Sequence, residues 1–214
     1  MNEHDGILRE NLEPLSNEAG PQTNSPTAPK SSKGSLLAYT VVALGLALFI
    51  RFFVAAPYVV SGASMEPNFE DWHYLIVDRV SYDFGEPTRG DVIVFDLPQE
   101  KSRALIKRII GLPGDTVVLL GSAPTITIIN DEHPDGMTLD EPYLDEQNLG
   151  GASNIRVTLS ADEYFVLGDN RKVSADSRLW GILPRNDIVG RVFLRLYPLT
   201  GIGILPGEAR YSDS

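Results

Sequence analysis

Leu36-Leu37-Ala38-Tyr39-Thr40-Val41-Val42-Ala43-Leu44-Gly45-Leu46-Ala47-Leu48-Phe49-Ile50-Arg51-Phe52-Phe53-Val54-Ala55 divides a chain of 214 residues into a short polar head and a long C-terminal body. The run is apolar except for Thr40, Arg51 and the Tyr39 hydroxyl. At about 1.5 Å per residue, a helix of this length crosses about 30 Å of hydrocarbon. One transmembrane helix is therefore expected, with bounds 34–56. Arg51 lies near the outer end, where its long stem lets the guanidinium reach the headgroups. Ala55-Ala56 supplies small residues for cleavage of a secretory signal, but the polar segment before the run is longer than the short basic start of a signal peptide. Lys30 and Lys33 precede the span, and after Arg51 the next basic residue is Arg79. That asymmetry leaves the N-terminus in the cytoplasm and carries the body across.

Outward from the span, residues 1–33 hold Pro14, Pro21, Pro26 and Pro29 among many Ser, Asn, Thr and Glu. Such a segment buries too little apolar surface to offset its ordering entropy and is expected to be a disordered cytoplasmic tail. Residues 57–200 form one extracytoplasmic domain of ordinary size, and 201–214 a C-terminal tail. From residue 57 onward the chain has 24 acidic and 14 basic residues, which argues against a nucleic-acid partner. Without cysteine, disulfides, thiol catalysis and Cys-ligated zinc are excluded.

The body reads as strands. Tyr74 to Val77, Asp91 to Phe95, Thr116 to Leu120, Ile126 to Ile129 and Tyr164 to Leu167 are short, β-branched or aromatic, and punctuated by Gly and Pro. No amphipathic helical pattern persists over three turns. The expected fold is mainly β: an antiparallel sandwich or barrel-like domain behind one N-terminal transmembrane helix. Polar residues and turns dominate 121–154, which reads as a small β excursion from the core.

Three segments carry candidate chemistry. Ser64, in Ser61-Gly62-Ala63-Ser64-Met65-Glu66-Pro67, lies just beyond the span. Of three histidines, His4 is in the tail, His73 stands beside aromatics and His133 is in a turn, so neither a Ser-His-Asp triad nor a His metal site is favoured. Lys107 and Arg108 sit within Ala104-Leu105-Ile106-Lys107-Arg108-Ile109-Ile110-Gly111-Leu112-Pro113-Gly114-Asp115. Strand alternation puts each cation on one face among apolar neighbours. Guanidinium stays protonated, whereas a desolvated amine loses its proton, so Lys107 is the only feasible base of the two. Lowering its pKa from about 10.4 to about 8 costs roughly 3 kcal/mol, within reach of burial in an apolar cleft. The plainer reading of this segment alone is an edge-strand lysine snorkelling into solvent. Within Gly168 to Gly181, Asp176 and Arg178 are placed to form an ion pair, and Ser174 to hydrogen-bond within a cleft.

In this order after one span, these segments resemble type I signal peptidase, the membrane-bound serine protease family with a Ser-Lys dyad. The resemblance runs from Phe49 to about Pro198 through Ser64 to Pro67, Gly90 to Phe95, Lys107 to Asp115 and Gly168 to Gly181, with Leu139 to Tyr143 also similar. It implies Ser64 as nucleophile, Lys107 as general base, Ser174 orienting the lysine, and Asp176 with Arg178 bracing the site. It implies no cofactor or metal. The partners implied are the phospholipid membrane and the signal peptides of Sec or Tat preproteins, at a bacterial cytoplasmic membrane. A single-substrate peptidase of the same dyad and an inactive membrane-tethered binding module are the alternatives.

Two departures stand out. Asn68-Phe69 replaces the usual Thr-Leu, and Glu70-Asp71-Trp72 replaces the usual Gly-Asp turn. Gly62 stands where some members carry an oxyanion serine, so the oxyanion hole is expected from backbone donors, above all the Ser64 N–H. Met65 and Pro67 are expected to contact substrate or membrane, and the stretches Phe52 to Val60 and Met65 to Phe69 to seat the domain at the headgroups.

Overall fold

The computed structural model describes residues 33–121, 125–151, 153–209 and 211. The expected disordered tail therefore lies, apart from Lys33, outside the described residues. The chain divides into two compact units, residues 1–41 and 42–214. Helix α1, Lys33–Phe49, is followed by a π-helical turn, Ile50–Val54. The side chains from Leu36 to Phe49 are exposed all round the helix. No described helix is long and apolar enough to cross a membrane.

The expected span of 34–56 runs too far. Ala55 is extended, and Ala55–Val59 forms strand β1. Pro57 gives the reason. Proline ends a helix and biases its predecessor to extended geometry, and in a sheet it is tolerated at an edge. β1 occupies such an edge.

The other strands are β2 (Tyr74–Asp78), β3 (Val92–Leu97), β4 (Glu100–Gly111), β5 (Thr116–Leu119), β6 (Ile126–Ile129), β7 (Met137–Thr138), β8 (Ile155–Thr158), β9 (Glu163–Leu167), β10 (Leu183–Pro184), β11 (Ile188–Tyr197) and β12 (Gly203–Ile204). Single helical turns are α2 (Ser81–Phe84) and α3 (Ser177–Trp180). The larger antiparallel sheet runs β1-β2-β11-β3-β4-β9-β10, with β12 on β11, and the smaller runs β7-β6-β5-β8. The mainly β antiparallel expectation agrees with this architecture.

Two expectations about its margins do not. The excursion at 121–154 is part of the core, because Ile126, Ile128 and Leu139 pack with Ile110, Val117, Phe165 and Leu167. Residues 201–209 are not merely a tail. β12 pairs with β11, and the Gly207 carbonyl accepts from Arg108. Strand β11 had no counterpart in the sequence reading, because Gly190, Arg191 and Arg195 interrupt its apolar pattern and it is bulged against both neighbours.

β4 positions the site. Its first residues, Glu100 to Ala104, are exposed, whereas Lys107 to Gly111 are buried. It pairs with β3 along most of its length but with β9 only through Arg108, Ile109 and Gly111. Its side facing away from β3 is thus unpaired before Arg108.

A β-carbon at Gly190 would lie 2.1 Å from the Asp78 carbonyl oxygen, because β11 and β2 approach there backbone to backbone. Gly62, at φ +95°, has open space instead. Gly190→Ala should destabilise the fold by about 3 kcal/mol through overpacking, and Gly62→Ala by about 1 kcal/mol through backbone strain alone. Thermal unfolding of the two variants in detergent, with equal midpoints, would contradict this difference.

Candidate active site

Ser64 lies in the loop between β1 and β2, whose neck is closed by Val60 N–H to the His73 carbonyl (2.9 Å) and Trp72 N–H to the Val60 carbonyl (3.0 Å). The Gly62 N–H donates to Asp71 at 2.5 Å. Met65 is fully buried with Val60, Phe69, Leu75, Val77, Val92, Val94 and Val192. The expected contact of Met65 with substrate or membrane is therefore corrected, and Phe69 is likewise core. An apolar side chain next to an exposed turn is drawn inward because burial stabilises it by about 2 kcal/mol. Pro67 is exposed.

Lys107 Nζ lies 2.7 Å from Ser64 Oγ and 2.7 Å from the Ile106 carbonyl oxygen. The lysine is 2% exposed. Burial lowers its pKa from the ordinary 10.5 to about 8, against the opposing pull of Asp176 and Asp169 and with minor help from Arg103. Among the described residues no carboxylate forms an ion pair with it. The amine thus stands next to one hydroxyl with no ion-pair partner among the described residues, an arrangement that suits an amine to accept a proton.

Arg108 takes the opposite course. It is fully buried, and its Nε and NH2 donate to the two Asp169 oxygens at 2.8 and 2.6 Å. NH1 donates to the Gly90 and Gly207 carbonyls, and the guanidinium lies 3.8 Å from the Tyr143 ring centroid. Burial opposes this charge, but Asp169 with the Tyr143 and Tyr211 hydroxyls more than compensates and raises its pKa.

The segment after β9 closes the site from the other side. Asn170 N–H donates to the Ser64 carbonyl at 3.0 Å. Asp176 accepts from the Gly168 N–H at 3.1 Å and from Arg178 Nε and NH2, both at 2.8 Å. The expected ion pair is thus present, and Asp176 also caps α3. Ser174 behaves differently from its expected part as orienter of the lysine. Its buried Oγ has no hydrogen-bond partner among the described residues. It packs instead at Gly168, where an added β-carbon would fall 2.2 Å from Ser174 Oγ and 2.4 Å from the Ser64 carbonyl oxygen. The Ser64 N–H donates no hydrogen bond among the described residues. His73 is occupied elsewhere, its Nδ1 accepting from the Glu70 N–H.

Several residues around the site had no assigned part in the sequence reading. Arg171 pairs with Glu141, which accepts from the Tyr143 hydroxyl at 2.5 Å, and Tyr143 meets Tyr211 at 2.8 Å. Asn68 Nδ2 donates to Asp169 and to the Tyr143 carbonyl. Apart from the charge pair Arg171–Glu141, nothing local in the sequence signalled these contacts, since most of the partners are far apart along the chain.

A groove of about 110 Å3 leads to the pair, lined by Tyr58, Val60, Ser61, Leu75, Val94 and Ile106 together with Ser64 and Lys107. A larger cleft of about 640 Å3, bordered by Arg89, Asp131, His133 and Tyr211, is lined by neither Ser64 nor Lys107.

A lysine whose folded pKa lies below its unfolded value destabilises the fold at neutral pH. The unfolded chain binds the extra proton between pH about 8 and 10.5, so stability rises with pH across that window. At about 1.4 kcal/mol per unit, the penalty below pH 8 is about 3 kcal/mol. Lys107→Met should therefore raise the unfolding midpoint at pH 7, with the gain shrinking towards pH 10.5. A pH-independent gain would count against the shifted amine.

A family model described as signal peptidase, peptidase S26, matches residues 34–197. A signal peptidase I of Leptolyngbya laminosa is 39% identical over 175 residues, covering 78% of this chain and 80% of the relative. A probable signal peptidase I-1 of Synechocystis sp. is 38% identical over 172 residues, covering 77% and 83%. The signal peptidase I P of Bacillus subtilis subsp. natto is 37% identical over 172 residues, covering 76% and 87%. The crystal structure of a signal peptidase I from Enterococcus faecalis V583 aligns with 50% of this chain and 97% of its own, at 32% identity and a TM-score of 0.41. With more than half its length matched by the family and relatives of this similarity, the chain belongs to the S26 signal peptidases and is a hydrolase of the signal peptidase I type.

Proposed function

We propose that this protein removes signal peptides from exported preproteins as a membrane-bound serine endopeptidase with a Ser64-Lys107 dyad. The observation that carries this reading is the 2.7 Å approach of Lys107 Nζ to Ser64 Oγ at the end of a narrow groove. Neutral Lys107 takes the proton of Ser64 as the oxygen attacks the scissile carbonyl. The Ser64 N–H, free of other partners among the described residues, faces the developing oxyanion. Lys107 then protonates the leaving amine, and a water deprotonated by the same lysine releases the acyl-enzyme. Asp176 and Arg178 hold the loop that fixes the Ser64 carbonyl.

An extended signal peptide adds to the unpaired side of β4 before Arg108, its backbone pairing with the strand and alternate side chains turned into the groove. A groove of about 110 Å3 walled by Tyr58, Val60, Leu75, Val94 and Ile106 favours small side chains next to the cut.

The membrane enters through residues 33–54. The 17 residues of α1 reach about 26 Å, and the π-helical turn extends the apolar path to Val54. Such a helix, exposed on every side, is stable in hydrocarbon rather than in water. Trp72, Tyr74, Tyr197, Leu199, Ile202 and Ile204 are exposed and suited to the headgroup layer. The N-terminus then lies in the cytoplasm and the β domain on the outer face.

Ser64→Ala and Lys107→Ala should each abolish cleavage of a model preprotein, read by N-terminal sequencing of the product, while the fold persists. Lys107→Arg should fail as well, because a permanent cation accepts no proton. Wild-type turnover by any of the three would remove the dyad reading. With the amine as base, kcat/KM should be low at pH 6, rise through pH about 8 and level off above it. Alkaline carbonate should leave the full chain in the membrane pellet, and its release would dismiss the spanning segment.

A further inference from the structure

Asn68 and Phe69 replace the residues that usually follow the proline after the nucleophile, and the structure gives this departure a use. Both hydrogens of the Asn68 amide are engaged, one on Asp169 Oδ2 at 2.8 Å and one on the Tyr143 carbonyl at 3.0 Å. The Asn68 carbonyl accepts from Arg195 NH1 at 2.8 Å. Phe69 is fully buried, its N–H returns to the Met65 carbonyl at 2.9 Å, and the Arg195 guanidinium lies 5.8 Å from its ring centroid. The turn carrying Ser64 is therefore fastened at its far end by a side chain as well as by its own backbone.

The fastening closes a ring. Asp169 and Asn170 are consecutive; Asp169 accepts from Asn68, and the Asn170 N–H donates to the Ser64 carbonyl. The nucleophile turn is thus held at two points, Ser64 and Asn68, by two neighbouring residues of one loop. Asp169 is also doubly bonded to Arg108, which follows Lys107 on β4. From Ser64 through Asn68, Asp169, Arg108 and Lys107 back to Ser64, every link is a covalent segment or a contact of 2.6 to 2.8 Å. The base and the nucleophile belong to different strands and loops, and without the Asn68 side chain the turn is held to this loop only at its Ser64 end, by the Asn170 N–H, among the described residues.

We propose that Asn68 is a positioning residue for this chain's reaction. It ties the nucleophile turn to the Asp169–Arg108 pair and so fixes the approach of Ser64 Oγ to Lys107 Nζ. The inference rests on the dyad reading above. Its energetic scale follows from geometry, since a misplacement of about 1 Å at a reacting pair lowers the rate on the order of a hundredfold. The link also has an electrical side. Asp169 is one of the two carboxylates acting on Lys107, the other being Asp176, with Arg103 opposing both. Around Asp169 itself stand Arg108, Arg171 and the neutral Asn68 amide. A charge introduced at position 68 therefore reaches the lysine through this cluster.

Three variants of the full chain test the proposal on a model preprotein, with Ser64→Ala as the control for the dyad. Asn68→Ala should lower kcat at least tenfold with KM within about twofold and the unfolding midpoint still well above the assay temperature. Asn68→Thr, which keeps one donor and the residue usual at this place, should fall between Ala and wild type and remains informative should Ala fold poorly. Asn68→Asp, equal in shape but acidic, should move the rising limb of kcat/KM to higher pH. Wild-type kcat in Asn68→Ala, a loss carried by KM alone, a loss that follows the unfolded fraction, or an unmoved limb in Asn68→Asp would overturn it. Cleavage by Ser64→Ala at wild-type rate would instead overturn the dyad reading beneath it.

Discussion

Everything at the site depends on one constraint, that β4 carries two consecutive cations into the interior. A strand turns neighbouring side chains to opposite faces, so Lys107 and Arg108 enter different surroundings within one residue. Arg108 cannot discharge and is surrounded by Asp169, two carbonyls and the Tyr143 ring. Such a buried pair is costly to break, about 3–5 kcal/mol when one partner is removed. Among the described residues Lys107 hydrogen-bonds only to a hydroxyl and a carbonyl, and burial takes part of its basicity instead. The same strand therefore holds a charge-paired guanidinium and an amine of lowered basicity, separated by what the opposite wall supplies.

That wall is assembled from distant parts of the chain. The loop after β9 gives Asp169 to Arg108, the Asn170 N–H to Ser64, and Asp176 to the Gly168 N–H. Glu141 and Tyr143 reach the same loop through Arg171 and Asn68, and Tyr211 closes on Tyr143. Polar networks of this kind, largely satisfied, define a single arrangement more than they add stability. The Ser174 hydroxyl and the Asn170 side-chain oxygen are exceptions within it, both buried without a hydrogen-bond partner among the described residues.

Much of this was legible in the sequence because it was local. The strands at Tyr74, Thr116 and Ile126 announce themselves by β-branched runs, and desolvation chemistry singles out Lys107 over Arg108. What escaped was long-range or interrupted. β11 hides behind Gly190, Arg191 and Arg195, and its regularity comes from neighbours on both sides rather than from its own pattern. Met65 looks like a surface apolar residue until the fold places it among Phe69, Leu75 and Val94. Asn68 looks like a mere substitution until Asp169, far along the chain, arrives beside it. The helix boundary failed for a local reason that composition masks: Ala55 and Ala56 suit a helix, but Pro57 commits them to a strand.

The crowding at Gly168 has a consequence for how the molecule comes into being. A chain leaving the ribosome presents Ser64 first and Lys107 soon after, but the backbone that presses against the Ser64 carbonyl is made much later, with Gly168, Asn170 and Asp176. Until those residues are synthesised, Ser64 and Lys107 lack the surface that holds them together.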